Sequence, residues 1–186
     1  MEELRTPRLL LRHWRESDRQ PFAALNADPE VMRYFPAPLP PDQSDAFVEM
    51  VLARIDRQGW GLWAVEVIDE ARFIGLVGLN EAGFDAHFTP AVEVGWRLMR
   101  SSWGNGYATE AAGGAIEFGF DELRVEEIVS FTAAINEPSQ QVMERLNMTR
   151  NPADDFDHPA VPEGPLRRHV LFRLAPAPGR APAPGT

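Results

Sequence analysis

Apolar and polar positions along the chain change period several times, and each change marks an element. "RLLLRHW", Arg8 to Trp14, is a short apolar run that predicts a strand, although a run of this length has the same look as a buried helix segment. Ser17 or Asp18 then stands where an N-cap belongs, ahead of a helix through Ala23, Leu25 and Asn26. Pro36, Pro38, Pro40 and Pro41 force a loop, after which Asp42 to Ser44 can cap a second helix. There Phe47, Met50, Val51 and Ile55 recur at spacings of three and four, and Gly59 supplies the stop.

From Gly61 the period falls to two. "LWAVEVI" and "RFIGLVGL" predict two strands joined tightly through Asp69 to Ala71, an antiparallel hairpin. "AVEVGWRLM", Ala91 to Met99, alternates Val92, Val94 and Trp96 against Glu93, Gly95 and Arg97 and predicts the next strand. A helix follows to about Leu123, with Ala108, Ala111, Ala112, Ala115 and Gly119 as a small-residue face that can lie close on a sheet. "EIVSFTA", Glu127 to Ala133, is β-branched and strand-like. In "NEPSQQVMERLNM", Asn136 caps a helix with Pro138 in its first turn and Val142, Met143 and Leu146 as its apolar stripe. Leu166 to Leu174 predicts a last strand. Strands interspersed with helices indicate a mixed α/β (α+β) single domain over residues 1–175; the Pro/Ala/Gly tail, 176–186, cannot build a packed core and is expected to be disordered.

At 186 residues such a domain buries its core without disulfide or metal staples. The chain has no cysteine, which excludes disulfide frameworks, thiolate metal sites and cysteine nucleophiles and makes a cytoplasmic location the default expectation. The first residues, "MEELRTPRLLLRHW", lack the apolar stretch of a signal peptide, and no apolar run reaches a membrane span. Lys plus Arg number 18 against 28 Asp plus Glu, a formal charge of −10. That is the wrong sign for a nucleic-acid surface, and it would steer a cationic ligand such as a protonated amine, although ordinary solubility explains acidity of this size equally well.

Chemistry concentrates in "SSWGNGYATEA". Gly104 and Gly106 remove side chains where a strand ends and a helix begins, leaving backbone N–H groups and the positive end of the helix dipole to face a ligand. A diphosphate fits such an anion site, whereas the Walker and dinucleotide glycine patterns do not match the loop. A plain helix-capping turn is the alternative on this stretch alone.

"WGNGYATEA" resembles the acyl-coenzyme A loop of the GNAT N-acetyltransferase superfamily, whose pattern is Q/R-x-x-G-x-G/A: Trp103 stands at the Q/R position, Gly106 at the glycine and Ala108 at the last. Its wording is similar to the branch that contains the ribosomal-protein alanine N-acetyltransferases, as are "TPRLLLRHWRESD", "VEVGWRLM" and "NEPSQQVMERLNM", in the family's order from Thr6 to Leu174. The resemblance implies the GNAT fold: one mixed, mostly antiparallel sheet splayed between strands 4 and 5, with helices on both faces. It implies acetyl-coenzyme A as co-substrate and no metal, with the diphosphate on the backbone of Trp103, Gly104, Asn105, Gly106, Tyr107 and Ala108. The pantetheine arm would pair near Leu98 and Met99, with Asn136 on its other side. The acceptor would be a primary amine, either a protein N-terminus or a small molecule, served by a monomer or a homodimer. A coenzyme-binding module without catalysis is the alternative.

Acetyl transfer needs a base for the amine, a polarised carbonyl and an acid for the departing thiolate. Glu93 projects from the face opposite the apolar residues of its strand and is the candidate base, with a salt-bridged strand glutamate as the alternative. As such a base, its replacement by Gln would cost turnover mainly at the low-pH end. Glu81 is a second acidic candidate, expected to contact acceptor or edge the loop. Many superfamily members carry a tyrosine acid on the helix after the fifth strand; here that helix has none, and Ser139 is the candidate acid, or simply a capping residue. His87, His158 and His169 carry no assignable role, and Trp60, Trp63, Phe84 and Phe88 are expected in the core or at the rim.

Overall fold

The computed structural model describes residues 1–177; the expected disorder of the tail falls, for 178–186, outside the described residues. Strands β1 (Leu4–Arg5) and β2 (Leu9–Arg12) lead into helices α1 (Arg19–Ala27) and α2 (Pro41–Gln58). The hairpin β3 (Leu62–Val67) and β4 (Arg72–Glu81) follows, then β5 (Val92–Leu98), α3 (Tyr107–Asp121), β6 (Ile128–Ala133) and α4 (Glu137–Arg145). Short strands β7 (Thr149–Arg150) and β8 (Phe156–Asp157) precede β9 (Arg168–Leu174).

These strands form one open sheet in the order β1-β2-β3-β4-β5-β6-β9-β7, with β8 also on β9. Every pair is antiparallel except β5 with β6, which run parallel and are bonded only at Val92↔Ile128 and Glu93↔Val129. Beyond Glu93, β5 stays paired to β4 as far as Leu98 and β6 stays paired to β9 as far as Ala133. The sheet therefore opens into a V whose apex is Glu93 and Val129. The side chain of Ser130 takes up the first unpaired carbonyl, donating to Val94 O at 2.9 Å.

Each face carries its own core. Leu9, Leu11, Trp63, Val65, Ile74, Val77 and Val94 pack on Ala111, Ala112 and Ala115 of α3. On the opposite face Phe22 and Leu25 of α1 and Val48 of α2 cover Ala64, Phe73 and Leu76. The alanine face of α3 brings that helix close: a Cβ on Gly119 would stand 2.8 Å from Ile128 Cδ1 and 3.0 Å from Leu79 Cδ1. Close contact there sets where the N-terminus of α3 emerges, beside the open end of the V.

One helix start differs from the sequence expectation, and at another the expected N-cap residue, Asp18, is in place but used differently. α2 begins at Pro41, with Pro40 as N-cap and no side-chain cap, because proline is preorganised for a first helical turn that has no use for its missing N–H. Its buried stripe is Ser44, Val48, Val51 and Ile55, so Phe47 and Met50 turn toward the cavity described below. Asp18 precedes α1 without capping it by its side chain. Its carboxylate instead accepts from the Arg15 amide at 2.7 Å and from Arg12 at 2.7 and 2.9 Å. Arg12 also donates to Glu66 at 2.6 Å, and Arg12 and Asp18 are both 2 % exposed. This buried network ties β2 to β3 and to the start of α1, and deleting one member of such a network costs about 3–5 kcal/mol.

Candidate functional site

Between the arms of the V lies a cavity of about 1200 Å³. It exceeds the ~300–1,000 Å³ of a site for one small ligand, and its two ends are built differently. Glu93, Leu98, Trp103, Gly104, Gly106, Tyr107, Ala108, Asn136 and Ser139 all line it.

The β5 end continues into the glycine loop. Gly104 and Gly106 have φ of 76° and 77°, the left-handed region that glycine enters without steric cost. The turn they make leaves the amides of Gly104 through Thr109 without partners among the described residues; the first helical bond is Glu110 N to Gly106 O, at 3.0 Å. A run of free N–H groups at a helix start is an anion seat. Within the expected set only the Trp103 amide is engaged, and the Asn105 side chain has a role of its own. The Trp103 amide donates to Arg100 O at 3.1 Å, while its indole Nε1 donates to Leu98 O at 2.9 Å. The Asn105 side chain braces the loop, donating to Ser102 O and Trp103 O. Among the described residues the unpartnered amides thus run from Gly104 to Thr109, and the Trp103 amide is bonded within the chain.

Backbone groups of successive strand residues point to opposite sides, and this sorts the pairing edge. Met99 N donates to Ile74 O at 2.8 Å, and its carbonyl accepts from Ser102 N. Its N–H is not left for an arm, and Met99 does not line the cavity. Val94, Trp96 and Leu98 alternate toward the gap instead, as the Ser130 and Trp103 bonds to Val94 O and Leu98 O show.

Across the gap, Asn136 caps α4 through its side chain. Its Nδ2 donates to Thr132 Oγ1 at 2.8 Å and to Ser139 Oγ at 3.1 Å, and its Oδ1 accepts from Ser139 N at 3.3 Å. Oδ1 keeps one lone pair for a ligand N–H, and Ser139 Oγ, accepting from Asn136, keeps its own proton to donate.

At the apex, desolvation pushes the Glu93 carboxyl up from the ordinary 4.5 to about 8, with the Arg54 charge pulling the other way. Arg54 is itself held by a short hydrogen bond to Asn80 Oδ1. A carboxyl with that affinity for protons can accept one from an amine as pH approaches 8, where its unprotonated form is populated. It also moves the sensitivity expected of Glu93→Gln from the low-pH end to the high-pH end, where the unprotonated form accumulates. Glu81 ends β4 as an exposed residue and is not part of the cavity wall.

Sequence reasoning missed Arg8 and gave His158 and His169 no role, since each arrives from a distant segment. Arg8 reaches the glycine loop, its guanidinium 4.8 Å from the Tyr107 ring centroid and 2.6 Å from Glu110. Burial works against the Glu110 charge, but bonds from Thr6 and Arg8 outweigh it and lower its pKa. His158 and His169 lie side by side, ring centroids 4.9 Å apart, and both reach the cavity. Burial lowers both pKa values, helped at His158 by the neighbouring His169 and opposed at His169 by its bond to the Arg167 carbonyl. Phe84 and Phe88 pack with Phe131 and Phe156, and Trp63 is fully buried, as the core reading expects. Among the described residues no cluster of His, Asp and Glu could hold a metal ion, and no helix is long and apolar enough to cross a membrane.

Comparison with known proteins bears on the family and the fold. Residues 8–149 match the model of the acetyltransferase (GNAT) domain. The chain is 30% identical over 162 residues to YnaD of Bacillus subtilis, named as an uncharacterized N-acetyltransferase, covering 86% of this chain and 88% of that one. An acetyltransferase of the GNAT family from Bacillus anthracis superposes with a TM-score of 0.77 at 24% identity, over 94% of this chain and 98% of that one. Spermidine N-acetyltransferase from Vibrio cholerae, solved with CoA and spermine, superposes with a TM-score of 0.71 at 19% identity, over 90% and 95% of the two chains.

Proposed function

Since the chain belongs to the acetyltransferase (GNAT) domain family, whose members acylate amines, we propose that it transfers the acetyl group of acetyl-coenzyme A to a primary amine, with the whole reaction in the V-shaped cavity. The observation that carries this reading is the run of unpartnered amides from Gly104 to Thr109, set at the mouth of a gap that begins where β5 and β6 part. The amides would hold the diphosphate. The gap-facing backbone of Trp96 and Leu98 would hold the pantetheine arm as an added strand, with Asn136 Oδ1 opposite. The thioester would then lie toward the apex, within reach of an amine entering from the face of Glu93. Asn105 would keep the loop in shape, and Met99 would anchor the end of β5.

Glu93 takes the proton that the amine must lose before or during attack. Ser139 Oγ–H donates to the departing thiolate, and the carbonyl oxygen is stabilised by backbone N–H on the β5 edge. Positioning two substrates in one enclosed space supplies most of the acceleration. A second base is supported by one observation: His169 Nδ1 lies 3.0 Å from Arg167 O, which makes Nδ1 the protonated nitrogen and leaves Nε2 with a lone pair. The two bases separate by pH, since a limb near 8 belongs to Glu93 and one below about 6.5 to a neutral histidine.

Within the family, the wording of the loop and of "NEPSQQVMERLNM" supports the branch that acetylates N-terminal α-amines of ribosomal proteins, and a small-molecule amine remains the other acceptor class. Incubation with acetyl-coenzyme A and a panel of peptides, amino acids and polyamines, read by free thiol and by product mass, tests the reading. Thiol release with an acetylated amine is the expected result. Coenzyme binding without turnover on any amine would instead favour a regulatory coenzyme-binding module.

A further inference from the structure

The face of β5 that points away from α3 carries Glu93, Gly95 and Arg97 in succession, and the two charged residues share an unusual condition. Arg97 is a cavity-wall residue that has no ion-pair partner among the described residues; burial alone acts on it, lowering its pKa to about 10. Its Nη1 donates to Asn26 Oδ1 at 2.6 Å. Its Nε is buried with no hydrogen-bond partner, the only such side-chain nitrogen or oxygen among the described residues. Phe35 and Phe47 flank the guanidinium at 4.3 and 5.4 Å, which stabilises a cation but satisfies no N–H. The free edge, Nε with Nη2, is the fork that binds a carboxylate through two parallel hydrogen bonds.

Glu93 and Arg97 do not answer each other. Four residues apart on one strand face, their Cα atoms are about 13 Å apart. Between them Gly95 leaves the sheet bare: a Cβ there would meet only Glu93 Oε1, at 3.7 Å. The floor of the acceptor end is therefore a side-chain-free step with a desolvated carboxyl at one side and a desolvated, half-satisfied guanidinium at the other. An unpaired buried guanidinium is costly; a ligand carboxylate relieves it, while an ammonium on the same ligand favours the ionised form of Glu93.

We propose that the acceptor is an amino-carboxylate: its amine is directed to Glu93 and its carboxylate is held by the Nε and Nη2 edge of Arg97. The span favours a carboxylate several bonds from the amine, as in an ω-amino acid or a short peptide, over an α-amino acid. A polyamine has no group for Arg97 and places a second cation beside it. Arg33 and Arg54 are also in the wall, but Arg33 is paired with Glu30 at 3.6 Å and Arg54 is bonded to Asn80 and acts on Glu93, which leaves Arg97 as the cation for the carboxylate.

This inference rests on the acetyltransferase reading, and the test separates the two. Glycine, β-alanine, γ-aminobutyrate and glycylglycine are each compared with their carboxamides as acceptors, with spermidine alongside. The expected result is a kcat/KM at least tenfold higher for acid than for amide in the longer pairs, carried in KM. In Arg97→Met, checked for folding by its melting curve, that ratio should fall to near one, and in Arg97→Lys it should be intermediate. Turnover of amines with equal rates for acids and amides, or a preference for spermidine, would overturn the carboxylate site and leave the acetyltransferase reading standing. Coenzyme binding with no amine acetylated would overturn both.

Discussion

Along the wall from Gly104 to Thr109 the cavity offers consecutive main-chain N–H groups, whereas around Glu93 and Arg97 it offers side chains gathered from segments as distant as Asn26 and Arg97. The first region offers atoms that every residue has, in a geometry fixed by two left-handed glycines and a helix start, and would suit a ligand part that never varies, such as a diphosphate. The second region offers particular side chains, so that under the proposed reading changing one of them would change which ligand fits. The difference teaches where a common donor and a variable acceptor can be read in one cavity. The α1–α2 loop and α2, which wall the variable end, pack on a core separate from the one that seats α3.

Replacing Glu93 is the strongest way to break this division, because it acts on chemistry and not on donor binding. With its carboxyl at about 8, the unprotonated base accumulates as pH rises through 8. Glu93→Gln should therefore lose about 10²–10⁴-fold in kcat, most severely above pH 8, with the alkaline-rising limb of the wild-type profile gone. Stability should move the opposite way. A carboxyl whose folded pKa is raised makes the protein less stable as pH climbs from its unfolded value toward 8, so the Gln variant should melt higher than the wild type above pH 8. A profile that keeps its limb near 8 would return Glu93 to a structural role, and a limb below about 6.5 would transfer the base to His169.

Gly106→Val acts on the other region. It forces a β-branched residue to φ of 77° and puts a side chain at the anion seat, so coenzyme affinity should fall about 100-fold, near 2.7 kcal/mol. Calorimetric titration with coenzyme A measures this, and unchanged affinity would remove the diphosphate from the loop. Ser139→Ala should cost about tenfold in kcat, since positioning persists without the acid; an effect on coenzyme affinity alone would make Ser139 part of the Asn136 cap and nothing more. Trp103→Phe removes the indole bond to Leu98 O and should raise the coenzyme KM by about fivefold, equivalent to one ordinary hydrogen bond.

The two regions also differ in how far the sequence exposes them. Gly104, Gly106 and the alanine face of α3 lie within one local stretch, so their spacing specifies turn, helix start and close packing together. The V could be expected only through resemblance, yet the strands that form it are plain from their period-two alternation. What the sequence hides is contact between distant segments. Arg8 on Glu110 and Arg97 on Asn26 join residues 102 and 71 positions apart, and no local pattern encodes such pairs. The edge of β5 shows a subtler limit: whether Leu98 or Met99 faces the gap depends on which of them bonds β4, and Met99 donates to Ile74. Val51 and Ile55 of the helical stripe of α2 are buried as their spacing predicts, but Ser44 and Val48 complete the buried face in place of Phe47 and Met50.

The central claim, that donor and acceptor react in one cavity, is tested most directly by a single turnover with acetyl-coenzyme A and an amine acceptor, counting free thiol and acetylated amine in the same sample. The account predicts equal amounts of the two, both lost in Glu93→Gln above pH 8 while coenzyme A still binds. Thiol released without acetylated amine, or coenzyme bound with neither product formed, would contradict it.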